Sequence, residues 1–350
     1  MKAVDESDTV REALLWEPLE AGAVRCALCS HRCRVAPGRA GLCGVRENRG
    51  GALHTLVYGR LVAESVDPVE KKPLYHFQPG SLSYSIATAG CNFRCAHCQN
   101  YAISQAERHQ GRLPGRFAAA EAVVERALEA GCRSLSYTYT EPTVFFEYAL
   151  DCMKLARAAG LRNVFVSNGY MTPECLDLAA PWLDGANVDL KSFRDDFYRE
   201  VCGGRLEPVL GSIRGLVERG VWVEVTTLVI PRRNDAPDEL RGAARFLAGV
   251  SRDLPWHVTG FYPTYRMTDE PPTPPSTLLA AREIGLEEGL RFVYAGNRPG
   301  SGGEDTPCPS CGRVVLARRG FSVTRSSITA GGACSACGAS IPGVEPGGAP

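Results

Sequence analysis

The sequence predicts an α/β fold: a partial (β/α)6-type parallel barrel with a cysteine-rich N-terminal segment and a C-terminal zinc ribbon. Two observations predict it. Short apolar runs alternate with amphipathic helical patterns along the middle of the chain, which is typical of parallel sheets with right-handed crossovers. In addition, eleven of the fifteen cysteines fall in three clusters, one before, one within and one after this repeating region.

The clusters divide the chain into three expected regions. Its 350 residues are enough for one large domain with small appendages. We expect a cysteine-rich metal-binding segment at 1–80, the barrel core at 81–300 and a zinc-ribbon-like tail at 301–350.

Charge and hydropathy narrow the classes of function. The chain has 39 basic and 39 acidic side chains, so no global field draws it to nucleic acid or to a membrane surface. No apolar run approaches the roughly 20 residues of a membrane span, and residues 1–18 lack the apolar stretch of a signal peptide. We therefore expect a cytoplasmic protein whose clustered cysteines bind metal.

Periodicity places the elements of the core. Seven runs are predicted as strands: 82–89, 134–140, 163–167, 186–191, 221–230, 257–262 and 290–294. Six segments are predicted as helices: 118–130, 142–159, 173–183, 207–219, 237–250 and 275–288. Ligands of such barrels sit at the carboxyl ends of the strands.

Polar residues alternate with apolar ones on three of these strands. Because helices cover the outside, the polar side chains should point into the lumen, where a barrel filled only for packing carries branched apolar residues. This pattern favours a ligand with charged groups; the alternative is mutual pairing of the polar residues, for example of Asp189 with Lys191. The polar residues concerned are Asn187, Asp189, Lys191, Glu224, Thr226, His257 and Thr259.

Three cysteines with the spacing Cys91-x3-Cys95-x2-Cys98 lie on the loop after the first predicted core strand. Four thiolates normally complete the coordination of an iron–sulfur cube, so three leave one iron open. An open coordination position is where a metal site does chemistry. The alternatives are three buried thiols, or a zinc site that borrows a distant ligand such as His97.

The string GCNFRCAHCQN resembles the radical S-adenosylmethionine (radical SAM) superfamily. The resemblance implies a [4Fe–4S] cluster on the three cysteines, with SAM bound to the fourth iron. One electron would cleave SAM to a 5′-deoxyadenosyl radical, which abstracts hydrogen from a substrate. One position departs from the pattern: His97 stands where an aromatic residue is usual, and an imidazole can also lie flat against adenine.

Other strand ends fit the same resemblance. Glu141 occupies the glutamate place of a Gly-Gly-Glu motif that contacts the SAM amino group, while Tyr139 and Thr140 replace the glycines. The resemblance implies catalytic roles for Cys91, Cys95, Cys98 and Lys191. It implies SAM-binding roles for His97, Thr140, Glu141, Ser167, Asn168, Asp189, Lys191 and His257.

More narrowly, the chain resembles the AmmeMemoRadiSam-system radical SAM enzymes and the pyruvate formate-lyase activating enzyme-like family. The strings SYTYTEPTVFFEY, NVDLKSF and TTLVIP carry this likeness, which spans about residues 24–343. Tyr262 stands where a histidine is common. The run Glu70-Lys71-Lys72 is either a contact to substrate or cluster loop, or a solvated charge run.

The C-terminal cluster has two CxxC pairs, Cys308 with Cys311 and Cys334 with Cys337, separated by 22 residues. This spacing predicts a zinc ribbon with four thiolates around one Zn²⁺; iron in a rubredoxin-like site is the competitor. Four arginines between the pairs are either a solvated face or a docking surface: Arg313, Arg318, Arg319 and Arg325.

The N-terminal cluster has the spacing Cys26-x2-Cys29-x3-Cys33-x9-Cys43. It matches neither a paired-CxxC zinc site nor the ferredoxin runs. We expect a second metal site here, and both zinc and an auxiliary iron–sulfur cluster are open.

These observations favour a radical SAM enzyme acting on an unidentified substrate. Its expected partners are SAM, an electron donor such as a flavodoxin or ferredoxin, and a small-molecule or protein substrate; nucleic acid and membranes are not expected. One alternative is an activator that installs a glycyl radical on a partner protein. The other is a non-catalytic metal-binding or electron-transfer module.

Overall fold

A computed structural model describes residues 9–105, 113–298 and 302–345. Seven strands pair in chain order, each parallel to the next. They are β1 Leu82–Thr88, β2 Ser134–Tyr137, β3 Arg162–Ser167, β4 Gly185–Asp189, β5 Trp222–Val229, β6 Trp256–Gly260 and β7 Val293–Gly296. The predicted α/β fold with a parallel sheet is confirmed.

Six helices connect these strands and bury their apolar faces against the sheet. They are α1 Ala120–Glu129, α2 Phe146–Ala158, α3 Pro173–Ala179, α4 Leu206–Glu218, α5 Pro237–Val250 and α6 Pro275–Glu287. Proline occupies the first position of three of them, where its missing N–H has no intrahelical partner in any case. Shorter helical segments are Tyr101–Ser104 and Asp195–Phe197, the latter running into a π turn at Tyr198–Cys202.

Two predicted helices differ in their ends. The segment expected to be helical from residue 142 starts with a 3-10 turn, Pro142–Phe145, capped by the Glu141 side chain. The segment expected to continue to residue 183 ends at Ala179 and is followed by a 3-10 turn, Ala180–Trp182. Pro181 lies in that turn, and it lacks the N–H that a continuing helix would need.

One long strand of the core sheet was not predicted. Arg60–Pro68 runs antiparallel to β1 and carries the short strand Arg116–Phe117 on its other side. Within the described residues the sheet therefore has nine strands, seven of them parallel. The added strand leads directly into the 3-10 turn Val69–Lys71, which borders the cavity described below.

The residues before this strand form two small antiparallel sheets. One contains Trp16–Pro18, Val24–Cys26 and Arg34–Val35, and the other contains Arg11–Glu12, Ala52–Thr55 and Arg46–Arg49. Val24, Val45 and Leu53 are fully buried and belong to the same apolar core as the barrel. A buried ion pair, Arg46 Nη1 to Glu147 Oε1 at 2.8 Å, joins this part to α2.

The last described residues form a three-stranded antiparallel sheet of Thr306–Pro307, Val314–Arg319 and Ser322–Ser326. Its separate core has only five buried apolar residues: Cys308, Val315, Cys334, Ile341 and Val344. Cys308, Cys311, Cys334 and Cys337 could hold a metal ion, which would stabilise so small a core. Among the described residues, no helix has both the length and the apolar character to cross a membrane.

Candidate active site

A cavity of about 560 Å³ opens at the carboxyl ends of the parallel strands, where barrels of this kind place their ligands. Its volume lies within the range of small-molecule sites. Ten residues proposed from the sequence line it together: Cys91, Cys95, His97, Cys98, Thr140, Glu141, Asn168, Asp189, Lys191 and His257. Ser167 stands one layer behind, with its hydroxyl donating to Glu141 Oε1 at 2.8 Å.

The cysteine loop leaves β1 through Gly90, which has a φ of +100°. A Cβ there would lie 2.6 Å from Val45 Cγ1, so this position requires glycine. Backbone bonds fix the rest of the loop: Arg94 N–H donates to the Cys202 carbonyl at 2.8 Å, and Ala96 N–H to the Val201 carbonyl at 2.9 Å. The loop is therefore held on both sides before any cofactor binds.

The spacing of the three loop sulfurs tests which metal group they fit. One tetrahedral ion with bonds of about 2.3 Å draws its sulfurs close together. Among the described residues, only the four ribbon cysteines form a group of three or more with all ligand atoms within 4.8 Å of one another. Cys91, Cys95 and Cys98 line the same cavity at wider spacing, which fits a cluster with a separate iron for each thiolate.

Glu141 is buried between three strand ends and is 1% exposed. Its Oε1 accepts from Ser167 Oγ at 2.8 Å and from both the N–H and the hydroxyl of Thr143, at 3.1 and 2.6 Å. Its Oε2 accepts from Asn168 N–H at 2.8 Å. Burial raises the pKa of Glu141, while these four donors favour the ionised form.

Asn168 links the third strand end to the cysteine loop. Its Nδ2 donates to Asn92 Oδ1 at 2.7 Å and approaches Cys91 Sγ at 3.8 Å, and its Oδ1 accepts from Tyr170 N–H at 3.0 Å. Both faces of the amide are thus oriented by the protein. The side chain is 6% exposed and lines the cavity.

Asp189 is the last residue of β4 and forms a pair with Lys191, whose Nζ lies 3.0 Å from Asp189 Oδ2. Burial alone would lower the pKa of Lys191, but the Asp189 carboxylate outweighs it and holds that pKa above its ordinary value. The residues pair with each other, as the alternative interpretation expected, and both also line the cavity.

His97 lies in the cavity wall and is 5% exposed. Burial lowers its pKa to about 3, so the imidazole is neutral. Its ring centroid is 6.2 Å from that of Phe197, and its Nδ1 has no hydrogen-bond partner among the described residues. The Thr140 hydroxyl donates to the carbonyl of Thr88, the last residue of β1, at 2.9 Å.

The polar faces of β4, β5 and β6 point inward, as expected. They divide into two kinds of residue. Asp189, Thr226, His257 and Thr259 line the cavity. Asn187 and Glu224 are fully buried and serve the fold, since Asn187 bonds Thr226 at 2.9 Å and Glu224 Oε2 contacts His257 Nε2 at 2.7 Å.

A second cluster in the cavity wall was only half predicted. Lys72 is 2% exposed, and its Nζ donates to Asp67 Oδ2 at 2.6 Å and lies 4.6 Å from the Tyr139 ring centroid. The Tyr139 hydroxyl donates to the same carboxylate. Tyr139 adopts φ +62° at a place where the family pattern has glycine, and these contacts offset the cost of that conformation, about 1–2 kcal/mol.

The run Glu70-Lys71-Lys72 is therefore not a solvated charge run, because Glu70 and Lys72 are 1% and 2% exposed. All three residues line the cavity. The sequence signal for them was weak, because Asp67 and Tyr139 are 72 residues apart in the chain and meet only in the folded barrel. Tyr262 is exposed, and it stacks under Arg298 instead of lining the cavity.

The ribbon reaches into the barrel. The Arg318 side chain is fully buried, with its guanidinium 4.2 Å from the Tyr75 ring centroid and its Nε 3.7 Å from Glu70 Oε1. It is thus not part of any surface of four arginines, although Arg313, Arg319 and Arg325 are exposed. Phe321, at the tip of the same hairpin, lines the cavity.

The four ribbon thiols converge as a mononuclear site requires, with Cys308 Sγ 3.6 Å from Cys337 Sγ and Cys311 Sγ 3.9 Å from Cys334 Sγ. The four N-terminal cysteines, Cys26, Cys29, Cys33 and Cys43, surround a separate small cavity. The four remaining cysteines, Cys132, Cys152, Cys175 and Cys202, are also buried.

Comparison with known proteins agrees with this geometry. A family model described as the Radical SAM superfamily matches residues 85–247. An uncharacterized protein of Methanocaldococcus jannaschii is 44% identical over 310 residues, which are 88% of this chain and 92% of that protein. The chain belongs to the radical SAM superfamily.

Two further proteins are similar to this radical SAM chain. A second M. jannaschii protein, provisionally named a glycyl-radical enzyme activating enzyme, is 25% identical over 211 residues, covering 58% of this chain and 76% of that one. The crystal structure of a domain of a pyruvate-formate lyase-activating enzyme from Bacteroides vulgatus is 18% identical and covers 47% of this chain and 99% of that domain, with a TM-score of 0.43.

Membership of the superfamily makes this chain a radical SAM enzyme. When bound, the [4Fe–4S] cluster and SAM supply a 5′-deoxyadenosyl radical that abstracts hydrogen from a substrate.

Proposed function

We propose that Cys91, Cys95 and Cys98 ligate the catalytic cluster, and that the adjoining strand ends bind SAM. The observation that supports this most is that three thiols, a carboxylate, an amide and an ammonium from neighbouring strand ends line one cavity. Their wide sulfur spacing favours a cluster over a single ion.

The charges along the cavity suggest an orientation for SAM. Glu141 has one oxygen, Oε2, with a single protein donor, so this oxygen can accept from the SAM ammonium in a charge-assisted bond. Lys191 holds its positive charge and suits the SAM carboxylate. Asn168 and Thr140 form the cavity wall between Glu141 and Lys191. The flat, neutral ring of His97 can stack against adenine.

The Lys72 ammonium in the cavity wall suggests where the substrate lies. Lys72 Nζ has one hydrogen-bond acceptor among the described residues, Asp67 Oδ2, while an ammonium has three donors. Two donors therefore remain for a ligand. Lys72 lines the cavity, so we favour a small substrate that presents a carboxylate or carbonyl group to it.

The barrel must also protect the radical. A primary carbon radical takes hydrogen from any donor within reach, so water and stray donors have to be excluded, and the reacting carbon has to be held at the intended C–H bond. The buried aromatic side chains Tyr75 and Tyr294 line the inner wall and restrict access from the ribbon side.

The test is anaerobic reconstitution with iron and sulfide, reduction with dithionite and assay of 5′-deoxyadenosine from SAM. Cys95→Ala should abolish its formation. Cys132→Ala is the matched control, because Cys132 is also buried but lies just before β2, at the amino end of the sheet; it should retain cleavage. Cleavage by the Cys95 variant would overturn the assignment.

A second candidate is an activator that takes hydrogen from a glycine of a partner protein. The name of the second M. jannaschii relative favours it, and the exposed Phe321 at the cavity mouth offers a contact for a protein segment. Incubation with a partner should then leave a persistent glycyl radical, visible by EPR on the partner. A small-molecule enzyme leaves none.

Zinc is our proposal for the ribbon, because four thiols at tetrahedral spacing suit it. We further propose a flavodoxin or ferredoxin as electron donor and a cytoplasmic location, since fifteen unpaired cysteines call for a reducing compartment. We also propose domain boundaries at residues 80 and 300. The strand Arg60–Pro68 precedes the first boundary and extends the sheet of the core.

A further inference from the structure

The N-terminal cysteines surround a cavity that is separate from the active site. Cys26 ends one strand of a hairpin, and its N–H donates to the Cys33 carbonyl at 3.0 Å. Cys29 forms an isolated bridge with Met171, on the loop that follows Asn168. Together with Cys43, these thiols line one small enclosed space.

The sulfurs are too widely spaced for a single ion. Among the described residues, no three of these four cysteines bring their sulfurs within 4.8 Å of one another, whereas the ribbon cysteines of the same chain do. The ribbon thus serves as an internal reference for a mononuclear site. Thiols that converge on one cavity at wider spacing fit a cluster with several irons.

Two residues that line this cavity each carry a buried donor without a partner among the described residues. Arg46 is 2% exposed and lines this cavity, and its Nε has no hydrogen-bond partner among the described residues, although Nη1 and Nη2 bond Glu147 and the Leu14 carbonyl. Asn92 is 3% exposed and also lines it, with Nδ2 unpartnered. A buried unsatisfied donor costs about 1–3 kcal/mol, so the folded chain calls for an acceptor at this place.

An iron–sulfur cluster supplies what the cavity lacks. Its sulfides and thiolate sulfurs accept hydrogen bonds from groups such as Arg46 Nε and Asn92 Nδ2, and such bonds tune its potential. The net negative charge of the cluster would be attracted to the buried Arg46 guanidinium. We propose that Cys26, Cys29, Cys33 and Cys43 ligate a second [4Fe–4S] cluster.

Asn92 connects the N-terminal cavity to the active site. Asn92 lines the N-terminal cavity and is the neighbour of Cys91, and its carbonyl bonds His31 Nε2 at 2.8 Å. With four protein thiolates, the cluster has no open iron for SAM or substrate. This role rests on the proposed function: the second cluster accepts one electron from a reduced ferredoxin or flavodoxin, and it is reoxidised when that electron passes to the cluster held by Cys91, Cys95 and Cys98.

The decisive variant is Cys91→Ala/Cys95→Ala/Cys98→Ala in the full chain, reconstituted anaerobically. It should keep about four iron and four sulfide per chain, against about eight of each in the wild type. After dithionite reduction, its EPR signal should be unchanged by SAM. The complementary variant Cys29→Ala/Cys33→Ala/Cys43→Ala should also keep about four iron, but with a signal that SAM alters.

Two results would overturn the proposal: a triple Cys91/Cys95/Cys98 variant that carries no iron, or one that carries a second zinc beside that of the ribbon. If the N-terminal variant does not fold, the active-site variant still decides. Loss of SAM cleavage with the N-terminal iron retained would count against the proposed function alone. Arg46→Lys, which keeps the charge but removes Nε, should shift the N-terminal reduction potential to more negative values.

Discussion

At the scale of single residues, Glu141 shows how a binding group is prepared in advance. Four protein donors already hold its carboxylate, so the orientation of its remaining lone pairs is fixed before a ligand binds. Pre-orientation of this kind reduces the cost of binding a ligand. The same bonds make the residue structural as well as functional.

Glu141→Gln should therefore lower both stability and SAM affinity. A glutamine places an NH2 group where a backbone or hydroxyl donor now points, which leaves a buried donor unsatisfied at a cost of about 1–3 kcal/mol. Urea unfolding and SAM titration of the reconstituted protein measure the two effects. The exposed Glu125→Gln on α1 is the control; equal unfolding midpoints for the two variants would contradict the expectation.

Glu224 predicts a pH dependence. Burial alone would raise its pKa, but the bond with His257 and two backbone N–H donors lower that pKa from 4.5 to about 2. A carboxyl with a depressed folded pKa contributes stability above the unfolded value, and loses it as pH falls through the folded value. The contribution is therefore complete above pH 4.5 and disappears towards pH 2.

The stability advantage of the wild type over Glu224→Gln should thus shrink as pH falls from about 4.5 to 2. Comparing two proteins that differ at one titrating group removes the effect of most other carboxyls. Denaturant midpoints at several pH values give the result. A constant difference across that range would show that the pKa of Glu224 is the same in the folded and unfolded states.

At the scale of elements, the ribbon hairpin acts as a structural insert in the barrel. Arg318 donates to Thr306 Oγ1 at 2.7 Å and to the Tyr75 carbonyl, and it faces the buried Glu70. Arg318→Met should destabilise the protein by about 3–5 kcal/mol, because it leaves Glu70 as an uncompensated buried charge.

Thermal or urea unfolding checks this expectation against Arg319→Met, the exposed neighbour, which should change stability by no more than about 0.5 kcal/mol. Adding Glu70→Gln to Arg318→Met should restore part of the loss, since it removes the orphaned charge. An Arg318 variant as stable as the Arg319 variant would mean that the hairpin docks without this ion pair.

The elements also show which parts of the fold could be predicted from the sequence. Six strand-then-helix units were predictable because β1 to β7 are buried on both faces, so their apolar runs stand out against the amphipathic helices between them. The strand Arg60–Pro68 was not, because its alternation is interrupted by Glu64 and Asp67, whose partners Arg126 and Tyr139 come from distant segments.

The residues of the candidate site also divide into those that a short motif predicts and those that no local pattern predicts. Cys91, Glu141 and Asn168 were predictable because each lies in a short motif at a strand end. The Lys72–Asp67–Tyr139 cluster depends on the contacts of Tyr139 with Lys72 and Asp67, which span 67 and 72 positions. The inward Arg318 depends on a contact that spans 243 positions, and no local pattern records these contacts. The four cysteines of the N-terminal cavity were named from the sequence, but its other lining residues, such as Arg46 and Asn92, were not, and the kind of metal group was not decided by spacing alone.

At the scale of the whole molecule, metal and fold depend on each other. The ribbon has five buried apolar residues of its own, so Cys334→Ala should reduce zinc from about one per chain to none and lower the melting temperature. The three cysteines of the active site should still take up iron and cleave SAM. Metal analysis, calorimetry and the 5′-deoxyadenosine assay measure these outcomes, with Cys132→Ala as the control for loss of a buried cysteine. Unchanged zinc content would place the metal elsewhere.

The contacts of the N-terminal sheets have a consequence for synthesis of the chain. Leu14 N–H bonds Glu147 at 2.7 Å, and the Ser30 hydroxyl bonds the Met171 carbonyl at 2.9 Å, across 133 and 141 positions. Residues 9–57 leave the ribosome before the segments on which they dock, which follow roughly 7 to 30 s later at ordinary rates of translation. During that interval their thiols are unshielded nucleophiles, so exposure to oxygen while the chain is being made should be more damaging than the same exposure after release.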